Sequence, residues 1–240
     1  ILFPTLNRRF GGSVVSTAIL ARELLNRGHE VHILCPEGSK TAKYFASRGL
    51  EKNLFPLTST DNKRLNFFTC SVYLVKVWFC FAEKVRYRNY DIVHFNDDRS
   101  ILLLGLLARV FRCPVVWHVR QNCKSKYDGI RCMVSEEIIA VSKYTMKSRL
   151  LKSKNVTVIY NPVNYPNNVK YKNDSELGNI VNIIQIGRDS PHKNINWTVH
   201  GCIVASRILK LEISLNLIGE VSSERIKSLR EYLRNDTVKL

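Results

Sequence analysis

"GGSVVSTAILARELLNRGHEVHILCP", residues 11–36, contains most of a β-α-β unit. Val14, Ala18, Ala21, Leu24 and Leu25 recur at helical spacing, which predicts a helix over 13–27. Ser13 is placed to cap its start, and Gly28 suits the left-handed position beyond its end. A strand over 30–35 follows, and residues 1–6 read as a strand before it. A helix that joins two strands through short connections implies a parallel pair.

The alternation continues along the chain. A short helix is expected over 40–48, closed by Gly49, then a weak strand at 53–56 and a long helical stretch at 61–88. Strands follow at 91–95, 114–119, 138–141 and 156–160, with helices over 99–111 and 143–152. Asp97-Asp98 is placed to cap the first of these helices. Residues 161–179 are rich in Asn and Pro and lack periodicity. The pattern then restarts: strand 180–186, helix 195–210, strand 212–218, helix 223–234, and a new strand from Thr237. Strands alternating with helices of this length predict an α/β chain with doubly wound parallel sheets. The expected division is a first domain over 1–164, a linker over 165–178 and a second domain over 179–240. Two clear strands are too few for a second doubly wound domain, which needs roughly 100–150 residues. The chain is therefore expected to be a fragment with its second domain incomplete.

Composition narrows the partners. Lys and Arg exceed Asp and Glu by 37 to 20. The first 168 residues hold 26 of these bases and 12 of the acids, so +14 of the +17 net charge lies there. Such a surface prefers anions: phosphates, nucleic acid or an acidic membrane face. No stacking motif or recognition helix supports a nucleic-acid partner. The seven cysteines are scattered without a C-x-x-C pair, which argues against structural zinc and for packed free thiols. The basic, aromatic segment 63–90 has the composition of a helix lying on an anionic membrane, with Lys84, Arg86 and Arg88 near the headgroups. A helix facing the core of the first domain is the preferred account.

Three places can carry chemistry. Gly11-Gly12, between the first strand and helix, would let backbone N–H groups approach an anion. The spacing is not that of a dinucleotide fingerprint, and a purely structural tight turn is an equal reading. "PVVWHVRQN", residues 114–122, delivers His118 near the C-terminal end of a buried strand, the end that faces the ligand crevice of open α/β sheets. A neutral imidazole there can hydrogen-bond a hydroxyl or stabilise developing charge. The alternative is a His filling a polar spot at a strand end. "IIQIGRDSPHKNINW", residues 183–197, is the most specific. A buried strand ends at Gly187, and Arg188 and Lys193 flank a Ser-Pro turn before a helix. A planar fork of donors and a mobile point charge suit a diphosphate, and the helix dipole adds to the field.

Together with "YDIVHFN", "IIAVSKYTMKSRL" and "VTVIYNPVN", these segments resemble, in order and spacing, a retaining family 4 glycosyltransferase of the GT-B fold. The resemblance implies two Rossmann-like domains facing across a cleft, the first taking the acceptor and the second most of a nucleotide-sugar donor. It implies retention and no metal or other cofactor. Carried over, Gly11 or Gly12 approaches the donor diphosphate, Gly187 lets the chain turn, Arg188 and Lys193 grip the diphosphate, and His118 sits near donor sugar and acceptor. The acceptor would be a glycan or lipid-linked sugar in cell-envelope polysaccharide synthesis, handled in the cytoplasm at the inner face of the membrane. Two other readings remain at this point: a GT-B sugar-nucleotide epimerase and a non-catalytic sugar-nucleotide-binding module. Asn194 stands where the family often has Gly, and Asn tolerates the left-handed conformation. The family's paired glutamates that contact the donor have no counterpart in this chain.

Overall fold

The computed structural model describes residues 1–8, 10–57, 67–149, 155–162, 180–187, 189–190, 193–234 and 237–240, with only the backbone given for 67–72. The chain divides into two compact units, Ile1–Asn164 and Tyr165–Leu240. The expected linker at 165–178 lies outside the described residues.

The first unit runs β1 (Leu2–Pro4), α1 (Gly12–Asn26), β2 (His32–Pro36), α2 (Lys40–Ser47), β3 (Leu54–Leu57), α3 (Phe67–Arg88), β4 (Val93–Phe95), α4 (Asp98–Val110), β5 (Val115–Val119), α5 (Asp128–Val134), β6 (Glu137–Ala140), α6 (Lys143–Ser148) and β7 (Val156–Val158). Its strands form one parallel sheet in the order β3-β2-β1-β4-β5-β6-β7. The strands read as apolar runs because both faces are covered. Phe3 and Ile33 pack with Val14, Ala18 and Phe45 on one side, while their neighbours Leu2 and Leu34 pack with Phe81, Leu104 and Trp117 on the other.

The helix ends follow local chemistry. Gly28 (φ 83°) and Gly49 (φ 77°) take the left-handed position after α1 and α2. Asp97 caps α4, its Oδ1 accepting from Ser100 N–H at 2.8 Å. Ser13 does not cap α1. The carbonyl of Gly11 already accepts from the N–H groups of Val14 and Val15, so the helix starts at Gly12 and Ser13 lies within its first turn. β1 is shorter than expected because the N–H groups of Leu6 and Asn7 are taken by Ser100 Oγ and Thr5 Oγ1. The seven-residue α5 has too few turns to show periodicity and was not expected.

The long helix α3 packs Val77, Phe81 and Val85 into the core and leaves Phe79 and Tyr87 exposed. The expected residues 61–66 lie outside those described. Among the described residues no helix is long and apolar enough to cross a membrane.

A buried ionic cluster ties the helices on the Trp117 side together. Arg149 is 1% exposed, lies over the Trp117 ring, and pairs with Asp98 at 2.7 Å and with Asp128. Arg131 donates to Asp128 and to the Asp98 carbonyl. The Trp117 indole N–H donates to Asp98.

The second unit runs β8 (Ile180–Ile186), α7 (Ile195–Leu209), β9 (Glu212–Ile218), α8 (Ser223–Tyr232) and β10 (Val238–Lys239). Its three strands are parallel, in the order β10-β9-β8. Ile195, Val199 and Ile203 of α7 and Leu229 of α8 pack with Ile213 and Leu215 of β9. The described strands of both units are thus Rossmann-like parallel sheets.

Candidate functional site

In the first unit the strand order reverses between β1 and β4, because β2 and β3 follow β1 to one side and β5 to β7 follow β4 to the other. Connections leaving the C-terminal ends of strands at such a point diverge and open a crevice. Here they include residues 5–8 and 10–11 after β1 and residues 96–97 after β4. Asp97 closes the floor: its Oδ2 accepts from Ser100 Oγ at 2.7 Å and Thr5 Oγ1 at 3.3 Å, and burial raises its pKa.

Gly11 and Gly12 form the start of α1 beside this crevice. Gly11 is extended (φ −173°), and a Cβ on either residue would meet nothing within 4 Å. Neither glycine is required by backbone strain or by packing within the described chain. The first N–H groups of α1 point out of the helix end, as at any helix N-terminus.

His118 is the penultimate residue of β5 and only 6% exposed. It shares a sheet face with Phe3 and His94: the Phe3 and His94 rings are 5.0 Å apart, and the His94 and His118 rings 5.6 Å. Both imidazoles are held neutral. Burial pushes the pKa of each down to about 3, and the cation of Arg120 adds to the effect. Arg120, two residues beyond His118 on the same face, approaches His118 Nδ1 at 3.2 Å and donates to Asn96 Oδ1 from Nε (3.2 Å) and Nη2 (2.8 Å). Its Nη1 reaches Asn161 Oδ1. Burial lowers its own pKa to about 10. Three buried atoms of this group have no hydrogen-bond partner among the described residues: His94 Nε2, Asn96 Nδ2 and His118 Nε2.

Of this group the sequence reading singled out only His118. His94, Asn96 and Arg120 were missed, although a signal exists. Polar residues alternate in "HFN" (94–96) and "HVR" (118–120), inside strands otherwise fully apolar. A period of two puts all four on one face.

In the second unit, β8 hands over to α7 through the predicted anion loop. Gly187 has φ 158°, and a Cβ there would sit 2.9 Å from Lys193 Cδ. The structure thus brings Gly187 and Lys193 together, the aliphatic stem of the lysine lying across the glycine. The Lys193 N–H closes a turn on the Ser190 carbonyl at 2.9 Å. Asn194 is left-handed (φ 50°, ψ 41°), as its chemistry allows. A hollow at this junction is lined by Asp189, Ser190, Asn194, Asn196, Trp197 and Arg225. Arg188, with Pro191 and His192, lies outside the described residues.

The family model for Glycosyltransferase Family 4 matches residues 10–165. No curated protein matches the sequence. Solved structures do match. HepE (Alr3699) from Anabaena, in complex with UDP-glucose, superposes with a TM-score of 0.68 at 15% identity, covering 99% of this chain and 67% of its own. The lipopolysaccharide outer core galactosyltransferase WaaB, in its apo form, gives 0.70 at 15% identity, covering 97% and 63%. The UDP-GlcNAc 2-epimerase of Methanocaldococcus jannaschii gives 0.58 at 14% identity, covering 99% and 71%. The chain thus spans about two thirds of the length of these structures. At such identities the likeness shows the fold alone.

Proposed function

The chain belongs to glycosyltransferase family 4, and on that premise we propose that the protein transfers a sugar from a nucleoside-diphosphate sugar to a glycan or lipid-linked acceptor, with retention, in cell-envelope polysaccharide synthesis. The observation that carries this reading is the membership itself, over residues 10–165. The likeness to HepE bound to UDP-glucose supports a nucleotide-sugar donor, and the likeness to WaaB supports an envelope glycan.

Each residue then has a chemical task. The open backbone at Gly11 and Gly12 admits a diphosphate against the start of α1, where N–H groups and the helix dipole favour negative charge. Arg188 and Lys193 stabilise the nucleoside diphosphate as it leaves. Negative charge grows there while the bond from the anomeric carbon to the diphosphate oxygen breaks, so fixed cations act most strongly in the transition state. The acceptor oxygen forms the new bond to that carbon, and its proton leaves with the diphosphate. His118, neutral and buried, donates a hydrogen bond and does not act as a base. No metal or other cofactor is assigned a step.

The test is initial-rate kinetics on the whole protein with UDP-, GDP- and dTDP-sugars and a lipid-linked acceptor, together with calorimetric titration of each nucleotide. Transfer of the sugar with its anomeric configuration kept is the expected result. Nucleotide binding without turnover would identify a binding module. Conversion of the donor sugar to its C2 epimer would identify an epimerase, whose fold this chain also shares.

A further inference from the structure

Around Arg120, one guanidinium meets three side chains that each have an acceptor end and a donor end. A guanidinium carries five N–H donors and no acceptor. Every atom it touches must therefore present a lone pair. This fixes Asn96 with Oδ1 toward Arg120 and its NH₂ turned away, and Asn161 with Oδ1 toward Nη1. It fixes His118 in the same way. Nδ1 at 3.2 Å from Arg120 Nη2 has to be the unprotonated nitrogen, so the proton of the neutral ring sits on Nε2.

The atoms turned away are the ones left unsatisfied. Asn96 Nδ2 and His118 Nε2 are buried and have no partner among the described residues. Two buried N–H donors without acceptors are costly. They lie at the C-terminal ends of adjacent strands, where Asn96 follows β4 and continues the register that pairs Phe95 with Trp117.

We infer that Arg120 is a positioning residue, which sets the His118 tautomer and the Asn96 amide so that His118 Nε2–H and Asn96 Nδ2–H both donate to oxygen atoms of the bound ligand. The site therefore takes an acceptor-rich group, a hydroxyl or phosphoryl oxygen, and disfavours a cation or an apolar substituent at that point. This inference deepens the proposed transfer reaction: it rests on that reading for the identity of the ligand but not for the tautomer.

The titratable and charged groups that face His118 are Arg120, just past the end of β5, and His94 on β4. Both oppose a second proton on the ring. His94 is itself neutral, so Arg120 is the only permanent charge of the two.

The test is nitrogen-15 NMR of the histidine rings of the chain itself, by long-range proton–nitrogen correlation between pH 5 and 8. The expected spectrum has His118 protonated on Nε2 alone throughout that range. In Arg120→Met, the lone-pair requirement on Nδ1 is lost, and His118 should become a mixture of tautomers. The side-chain carboxamide of Asn96, which Arg120 also holds, should shift in the same variant. A wild-type His118 protonated on Nδ1, or on both nitrogens at pH 6, overturns the inference, even if Arg120→Met fails to fold. An unchanged tautomer and an unchanged Asn96 amide in a folded Arg120→Met protein overturn it as well. In the whole protein, Arg120→Met should slow sugar transfer by about 10–100-fold through misaligned donors, and a wild-type rate would overturn the ligand-facing half of the inference. A wild-type protein that transfers no sugar would instead refute the proposed reaction, leaving the tautomer result standing.

Discussion

His94 and His118 face each other from adjacent strands with ring centroids 5.6 Å apart, and both are neutral in the folded protein. Their pKa values are pushed down to about 3, against about 6.5 in an unfolded chain. Between those values the unfolded chain binds protons that the folded one excludes, so stability is full above pH 6.5 and falls as pH drops toward 3. The slope is at most about 1.4 kcal/mol per pH unit for each ring. Urea midpoints at pH 7, 6 and 5 should fall steadily, and His94→Leu should flatten the decline. A stability that does not change over that range would refute the buried neutral pair.

Arg149→Met should destabilise the protein by about 3–5 kcal/mol, because it leaves the part-buried Asp98 carboxylate without its cation and Asp128 with Arg131 alone. Asp128→Asn added to it should recover part of the loss. Arg149 hydrogen-bonds Asp128, and this helps lower the carboxyl pKa below its ordinary value despite burial. A depressed carboxylate contributes stability above its unfolded pKa of about 3.9, and that contribution is lost as pH falls through the folded value. Acid titrations of wild type and Arg149→Met, followed by near-ultraviolet circular dichroism, check the effect. The variant should show a smaller acid-linked component below pH 4.

Gly105→Val tests how closely α4 and α5 approach. A Cβ at position 105 would lie 2.9 Å from Val134 Cγ2 and 3.0 Å from Ile101 Cγ1. Overpacking of this kind costs about 1–3 kcal/mol, and the β-branched side chain adds to the strain within the helix. Chemical denaturation should show a lower midpoint with an unchanged slope.

Lys193→Ala and Arg188→Ala, made in the whole protein, should each slow turnover far more than they lower the melting temperature. Removing a charge-assisted contact to a developing phosphate charge corresponds to about 2–4 kcal/mol in the transition state, or roughly thirtyfold to thousandfold in rate. The double variant should be less than additive, since both side chains would hold one group. Gly187→Ala should resemble Lys193→Ala, because a methyl group there collides with the lysine stem. Well-folded single variants with wild-type rates would make these ordinary surface cations.

The first unit should bind anionic vesicles weakly and release them in salt, given that +14 of the +17 charge lies in residues 1–168. Each basic residue near the surface contributes about 1 kcal/mol, and screening removes it. Co-sedimentation with phosphatidylserine and phosphatidylcholine vesicles at low and high salt checks this. Equal recovery with the two lipids would refute it.

Much of the fold is written in short-range signals. The bounds of β8 and β9 agree residue for residue with the apolar runs, and Gly28, Gly49 and Asp97 end or begin helices as their local chemistry dictates. What was not legible depends on pairs distant in sequence. Arg149 meets Asp98 across 51 residues, and Arg120 meets Asn96 across 24 and Asn161 across 41. Nothing in a window around an arginine says which carboxylate or amide it will find. The candidate site was half legible for the same reason: His118 stands at a strand end that any reader can place and Arg120 only two residues on, but the Asn96 and Asn161 side chains that hold Arg120 come from distant segments.

The Arg149 cluster also bears on how the protein is made. A ribosome releases Asp98, then Trp117 and Asp128, before it releases Arg149. Until residue 149 has cleared the exit tunnel, the Asp98 carboxylate lacks its Arg149 partner and Asp128 has only Arg131. Synthesis at about 5–20 residues per second makes that interval a matter of seconds. Arg149 stands near the end of the first unit, which runs to Asn164, so the cluster over Trp117 can close only late in its synthesis.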